Sequence, residues 1–269
     1  MYESFFGLKE LPFNVTPDPR FIYFSRHHLE ALSTLLYGIE NRRGFIEISG
    51  EIGAGKTTLC RTLLKELEGQ AHTAFIFNPK LSQIELLETI IEDLGITTKG
   101  RRRKDYFDAL NRFLLQELEK GMNTVVIIDE AQNLSPKALE QIRLLSNLET
   151  TREKLIQIIL VGQPELRELL ARPDLAQLRQ RIAIRHHLPS LSGDETEKYV
   201  AHRLQVAGCE ERLFTPEAVE RIYECSAGIP RLINVLADRA LLAAFTKNVR
   251  IVEAALVDEA RADLEGIPA

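Results

Sequence analysis

The chain has 269 residues, 45% hydrophobic and 27% charged, the balance of an ordinary soluble globular protein. That length suits one large domain or a core domain with a smaller appendage. A formal charge of −5 excludes a surface devoted throughout to nucleic acid and leaves room only for a local basic patch. The three cysteines, Cys60, Cys209 and Cys225, form no CxxC pair, which excludes a disulfide framework or a cysteine zinc site and points to a reducing compartment.

In chain order, "MYESFFGLKELPF" carries acids where a secretory leader needs basic residues and an apolar run. No later run approaches the ~20 apolar residues of a spanning helix, so the expected location is the cytoplasm, although a longer parent protein could carry an anchor. The stretch Met1–Ser25 is rich in Phe and Pro and reads as an ordered, irregular arm whose aromatic rings must pack on something. Leu29, Leu32, Leu36 and Ile39 then recur at helical spacing and predict a helix over His27–Asn41.

Beyond this point strands and helices alternate. Gly44–Ser49, Thr73–Asn78, Thr124–Asp129, Leu155–Gly162 and Ile182–Leu188 are short β-rich runs, separated by helical patterns such as Leu81–Gly95, Asp105–Gly121 and Pro136–Glu149. The runs are almost continuously apolar, as parallel strands covered on both faces must be. The expected fold is therefore an α/β three-layer αβα core around a five-stranded parallel sheet. After "LPSLSGDE" only helical patterns follow, at Asp194–Val206, Pro216–Cys225, Pro230–Phe245 and Ile251–Leu264. These predict an all-helical domain of roughly 80 residues, small enough to need support from a neighbour. The expected division is residues 1–190, core with N-terminal arm, and 191–269, helical lid.

Directly after the first strand, "GEIGAGKTT" fits G-x-x-x-x-G-K-[ST] and leads into a helical pattern. Gly50, Glu51, Ile52, Gly53, Ala54 and Gly55 would wrap a phosphate with backbone N–H groups, and the helix beginning near Thr58 adds positive potential. Lys56 would reach the β and γ phosphates, and the Thr57 hydroxyl would hold Mg2+. A P-loop needs an acid from another strand. "VVIIDE" supplies Asp129 for the metal and Glu130 to polarise the attacking water, so the expected cofactors are ATP and Mg2+. Two acids in succession favour hydrolytic ATP chemistry over a GTPase-like switch. Read as a helicase signature, "DEAQ" would demand a second RecA-like domain where this chain offers helices.

A P-loop core followed by a helical domain containing "GIPRLIN" (Gly228–Asn234) resembles an AAA+ ATPase. The resemblance implies that Arg231 is sensor 2, touching the nucleotide phosphates; a helix-start arginine on the surface is the alternative. It places Gln163, in "LVGQP", at polar sensor 1, and Asn78 where an asparagine restrains the catalytic glutamate, a simple turn asparagine being the other reading. Within "LRQRIAIRHH" it implies an arginine finger serving a neighbouring subunit, with Arg181 favoured, Arg179 second, and two of Arg179, Arg181 and Arg185 left as surface ion-pair residues. A homo-oligomer with shared ATP sites follows, more active when assembled.

The blocks "MYESFFGLKELPFNVTPDPRFIYFS", "ALSTLLYGIENRRGFI", "IIDEAQNLSPKALEQIRLLSNLET" and "QIILVGQPELRELL" are similar to the general secretion pathway protein A (ExeA) family over essentially the whole chain. That resemblance implies an inner-membrane ATPase whose cytoplasmic AAA+ domain is followed by a membrane helix and a peptidoglycan-binding domain. With a TonB-like partner (ExeB-like) such a protein helps a type II secretion secretin assemble. Peptidoglycan binding would then reside in regions absent from this chain. The family also suggests that "TPDPRF" and "HHLEAL" lie near the adenine, core packing being the other reading for Phe13, Tyr23 and Phe24. "AQNLS", Ala131–Ser135, lies beside Glu130 and becomes a candidate route from nucleotide state to a partner.

Two other readings compete. A DNA-acting AAA+ ATPase of the transposition (TniB/MuB-like) or origin-binding type would use "KGRRRK" (Lys99–Lys104), five basic residues in six, against phosphates. A solvated loop before a helix accounts for the same residues, and DNA is not favoured. A nucleotide switch without turnover is opposed by the joint presence of Lys56, Asp129, Glu130 and Arg231.

Overall fold

A run of apolar residues with no polar face must be covered on both sides; three strands meet that description, and the two outer ones, Ala71–Ile76 and Ile182–Leu188, depart from the expected continuous run by carrying polar, partly exposed residues. The computed structural model describes residues 1–14, 18–77 and 79–265. Its strands are β1 (Phe45–Gly50), β2 (Ala71–Ile76), β3 (Asn123–Ile128), β4 (Gln157–Gly162) and β5 (Ile182–Leu188). They form one sheet in the order β2-β3-β4-β1-β5, with every pairing parallel. Contacts gather the chain into two units. One comprises His28–Gly50 and Leu59–Leu188 and holds the sheet; the other comprises Met1–His27, Glu51–Thr58 and the residues from Pro189 onward.

In the sheet unit, alternation of side chains sends neighbouring residues to opposite faces. Ile46, Ile48, Val125, Ile127, Ile159 and Val161 share one face, and Val126, Ile128, Ile158 and Leu160 share the other. After the single-turn helix α1 (Glu3–Phe6), the helices α2 (Arg26–Glu40) and α3 (Lys56–Glu66) cover the first face through Ala31, Leu35, Ile39, Leu59 and Leu63. Helices α4 (Gln83–Asp93), α5 (Arg103–Glu119), α6 (Pro136–Leu145), α7 (Pro164–Leu170) and α8 (Ala176–Arg181) cover the second. The two layers account for the unbroken burial of β1 and β4. At the open side of β2, the Phe75 N–H donates to Asp93 Oδ2 at 2.8 Å. Helix α4 starts on a capping box, Glu85 N donating to Ser82 Oγ and Ser82 N to Glu85 Oε2.

The second unit is built on helices α9 (Gly193–Val206), α10 (Pro216–Ser226), α11 (Pro230–Thr246) and α12 (Ala254–Glu265). Ser192 and Thr215 cap α9 and α10 through Glu195 N and Ala218 N, and Pro216 occupies a first-turn position where no N–H is needed. Ile222, Ile233, Ala237, Leu241 and Val257 form its core. The N-terminal arm joins that core: Tyr2, Phe6, Leu8, Phe13 and Phe21 are buried in the same cluster, and the Phe13 and Phe214 rings meet edge to face at 6.0 Å. Arg203 of α9 fastens the arm. Its guanidinium donates to Pro12 O at 2.5 Å, to Asn14 O at 3.0 Å and to the Tyr199 hydroxyl at 2.9 Å, and lies 4.8 Å from the Phe21 ring centroid.

The sequence reading assigned this arm to residues 1–190 with the core, whereas its contacts are with the helices beyond Pro189. Phe13 and Tyr23 pack there, Tyr23 against the rings of Tyr199 and His202. Helices α1, α7 and α8 have 4, 7 and 6 residues, too short to display a helical period, and were not anticipated. No helix among the described residues is long and apolar enough to cross a membrane.

Candidate active site

Strand β1 ends at Gly50 and α3 begins at Lys56, so the glycine-rich segment is the loop between them. Gly53 and Gly55 have φ of +82° and +97°, left-handed values that glycine adopts without a Cβ penalty. The turn closes with Ala54 N donating to Glu51 O at 3.1 Å, and the buried Lys56 sends its Nζ to the same carbonyl at 2.8 Å. No acid lies in the first turn of α3, and the positive end of the helix falls beside Thr57 and Thr58.

The same unit contributes the start of α11. Arg231 N donates to Gly53 O at 3.3 Å, and a Cβ placed on Gly53 would lie 2.5 Å from Arg231 Cβ and 3.3 Å from Ile229 Cγ2. The loop and the lid helix touch where a side chain would not fit. Ile52 is exposed beside them, and the Arg231 side chain is exposed as well.

In the sheet unit, Asp129 follows β3, is 3% exposed, and extends the ladder through its N–H to Ile76 O at 2.9 Å. Its Oδ1 accepts the Glu130 N–H at 2.9 Å. Glu130 has φ +51°, an uncommon left-handed setting for a residue with a long side chain. Its Oε2 accepts from Gln163 Nε2 at 3.0 Å, so Glu130 and the residue directly after β4 meet. Gln132 meets them too, donating from Nε2 to the same Oε2 at 2.5 Å and accepting Gln163 N on Oε1 at 3.1 Å. Gln132 was absent from the candidate site residues. Its position depends on the turn after β3, which no local pattern announces. Asn78 lies outside the described residues.

Arg181 stands elsewhere. Its guanidinium donates to Ser146 Oγ, to Asn147 Oδ1 at 2.7 Å and to Arg143 O at 3.4 Å, at the C-terminal end of α6. Arg185 Nε pairs with the buried Glu47 carboxylate at 3.3 Å, and its terminal nitrogen donates to Arg179 O at 2.6 Å. Burial pushes the Glu47 carboxyl above the usual carboxylate range, partly opposed by Arg185, Arg167 and Arg179. The Arg179 side chain is exposed and makes no hydrogen bond or ion pair with the described residues. Of the basic run, Arg102 pairs with Asp105 at the start of α5, and Arg101, Arg103 and Lys104 are exposed.

The residues of the Gly50–Thr58 segment fit a nucleotide's phosphates: left-handed glycines, a helix N-terminus and a lysine suit a polyphosphate. Among the described residues no cluster of three or more His, Cys, Asp or Glu could hold a metal by itself.

Comparison with known proteins agrees with these features. A family model described as an AAA domain matches residues 39–170. General secretion pathway protein A of Aeromonas hydrophila is 47% identical over 248 residues, covering 92% of this chain and 45% of that protein, so the chain spans less than half of that relative. The ATP-dependent target DNA activator B of Escherichia phage Mu is 26% identical over 255 residues, covering 93% of this chain and 74% of that protein. Among solved structures, the Aeropyrum pernix ORC2 protein in ADPNP and ADP complexes superposes with a TM-score of 0.70 at 20% identity, covering 95% of this chain and 72% of that one. The likeness of fold includes the five-stranded sheet and the helices that follow it.

Proposed function

The chain belongs to the AAA+ ATPases of the general secretion pathway protein A family, and from that premise we propose that it hydrolyses ATP to ADP and phosphate to drive assembly or remodelling of a cell-envelope secretion machine. The observation that carries the hydrolytic reading is Glu130, set directly after the buried Asp129 and held by the residue directly after β4. The loop amides of Gly50–Thr58 and Lys56 hold the phosphates. Thr57 and Asp129 would hold the metal ion, which when bound would offset the negative charge that develops on the phosphates. Glu130 accepts a proton from water as the water oxygen bonds to the γ phosphorus and the bond to the bridging oxygen breaks. ADP carries away that electron pair, and the proton passes from Glu130 to solvent. Arg231 senses the nucleotide from the lid, and Gln163 links Glu130 to the γ-phosphate position. Asn78 keeps the restraining role that the family resemblance implies.

For the finger, the geometry moves the preference from Arg181 to Arg179. Arg181 is bound within its own subunit by three hydrogen bonds, whereas the exposed Arg179 can extend toward a neighbour. A homo-oligomer with shared sites, a TonB-like partner at the inner membrane, and peptidoglycan contact through further regions of a longer parent complete the reading.

The test is steady-state ATP turnover with Glu130→Gln and Lys56→Ala. Glu130→Gln should still bind ATP and lose on the order of 10²–10⁴-fold in turnover, as removal of a general base does. Wild-type turnover in Glu130→Gln sinks the assignment. A DNA-acting role is the second reading, supported by the similarity to the Mu activator and by the exposed Arg101–Lys104 segment. Duplex affinity that falls steeply with salt, and is lost when these basic residues become glutamine, would favour it.

A further inference from the structure

We propose that Gln132 is a positioning residue for ATP hydrolysis, a brace that fixes one oxygen of Glu130 and so aims the other at the attacking water. The inference rests on Glu130 being the base. Two amide donors, Gln132 Nε2 at 2.5 Å and Gln163 Nε2 at 3.0 Å, meet on Glu130 Oε2, while Oε1 has no hydrogen-bond partner among the described residues. A carboxylate anchored on one side only has a defined direction for the other. The Gln132 amide is itself determined at both ends, because its Oε1 accepts the Gln163 backbone N–H at 3.1 Å. Exchanging its oxygen and nitrogen would set donor against donor at Gln163 and acceptor against carboxylate at Glu130.

Two features of the backbone serve this arrangement. Glu130 takes its left-handed setting, and the 3-10 turn Ala131–Asn133 follows, closed by Asn133 N to Glu130 O at 2.9 Å. That turn folds residue 132 back over residue 130. Residue 162 is glycine where a Cβ would lie 2.7 Å from Gln132 Oε1 and 2.9 and 3.0 Å from Leu166 Cδ2 and Cβ, so β4 leaves room for the amide and for α7 together. The brace also gives Gln163 its latitude. If the Gln163 side chain turns from Glu130 to the γ-phosphate, Gln132 still holds the carboxylate, because its second attachment is to backbone.

The experiment compares wild type, Gln132→Ala, Gln132→Met, Glu130→Gln and the Glu130→Gln/Gln132→Ala double variant. It uses steady-state and single-turnover ATP hydrolysis, a direct nucleotide-binding titration and thermal melting. Gln132→Met retains the side-chain volume without the amide, so it reports on the brace even where Gln132→Ala lowers the melting midpoint. Both Gln132 variants should lose on the order of 10–100-fold in kcat, the scale of a misaimed catalytic group, with KM, nucleotide affinity and the Gln132→Met melting midpoint close to wild type. On the Glu130→Gln background, Gln132→Ala should cost nothing further, because both changes act through one carboxylate. Wild-type or increased kcat in Gln132→Met, or a second full loss in the double variant, overturns the proposal while leaving Glu130 as base. Wild-type turnover in Glu130→Gln overturns the underlying assignment instead.

Discussion

Replacing Gly53 by alanine loads two separate costs onto the phosphate loop. At φ +82° an L-residue forfeits about 1–2 kcal/mol relative to glycine. The new methyl would also stand 2.5 Å from Arg231 Cβ, where ordinary contact begins at 3.4 Å. Because a Cβ cannot rotate away, the loop and the start of α11 must part by about 1 Å, at an overpacking cost of about 1–3 kcal/mol. To the extent that the unliganded loop relaxes, the sum, about 2–5 kcal/mol, should appear as an ADP affinity weakened by up to roughly 30- to 4,000-fold, which titration calorimetry measures. To the extent that the unliganded loop stays strained, it should appear instead as a lowered urea midpoint. In the urea midpoint, with Arg231→Gly alone as the reference, adding Gly53→Ala meets no opposing Cβ and should cost only the backbone share of about 1–2 kcal/mol. An ADP affinity within twofold of wild type together with an unshifted urea midpoint for Gly53→Ala would refute the reasoning.

Three further expectations follow from the same geometry. Arg203→Met strands two backbone carbonyls, Pro12 O and Asn14 O, so the arm should release and stability should fall by about 3–5 kcal/mol; urea unfolding and protease nicking of residues 1–25 check it, and a loss below about 1 kcal/mol would contradict it. Burial pushes the His202 imidazole below its ordinary 6.5, so the fold holds it neutral, and its contribution is present above pH 6.5 and lost as pH falls through the lowered value. The wild-type urea midpoint should therefore drop more between pH 6.5 and 5 than that of His202→Gln, and equal slopes would remove the argument. Arg179→Ala should lower the turnover of the assembled protein by about 10³-fold or more and regain activity when mixed with Lys56→Ala chains, whereas Arg181→Ala should chiefly lower stability; the reverse pattern restores Arg181 as the finger.

The parts read correctly from sequence were those whose cause is local. Ile127 and Ile128, or Ile158 and Ile159, are adjacent apolar residues that only a strand covered on both faces can bury, and the two hydrophobic layers receive them alternately. The turn between β1 and α3 was equally visible, because glycines at fixed spacing permit the left-handed backbone found at Gly53 and Gly55. What escaped was set by distant contacts. The density of Phe and Pro in Met1–Ser25 required a partner, but the partner is Arg203, up to 191 residues away. Gln132 sits two residues from a recognised acid, yet its place is decided by Gln163, Gly162 and a turn of unusual backbone sign. Helices α7 and α8 are shorter than the window over which a helical period can be seen.

The bond from the Phe75 N–H to Asp93 also says how wide this sheet can become. Strand β2 is an outermost strand, and its unsatisfied amides would invite an incoming chain to extend the ladder. Asp93 occupies one of those amides with a carboxylate from the end of α4, so a newcomer would have to displace a charge-assisted acceptor before its own carbonyl could pair there. On this side the sheet is terminated by charge, and the aromatic pair Phe75 and Phe77 can stand at its margin, their rings 4.1 Å apart, without becoming a seed for strand-to-strand aggregation.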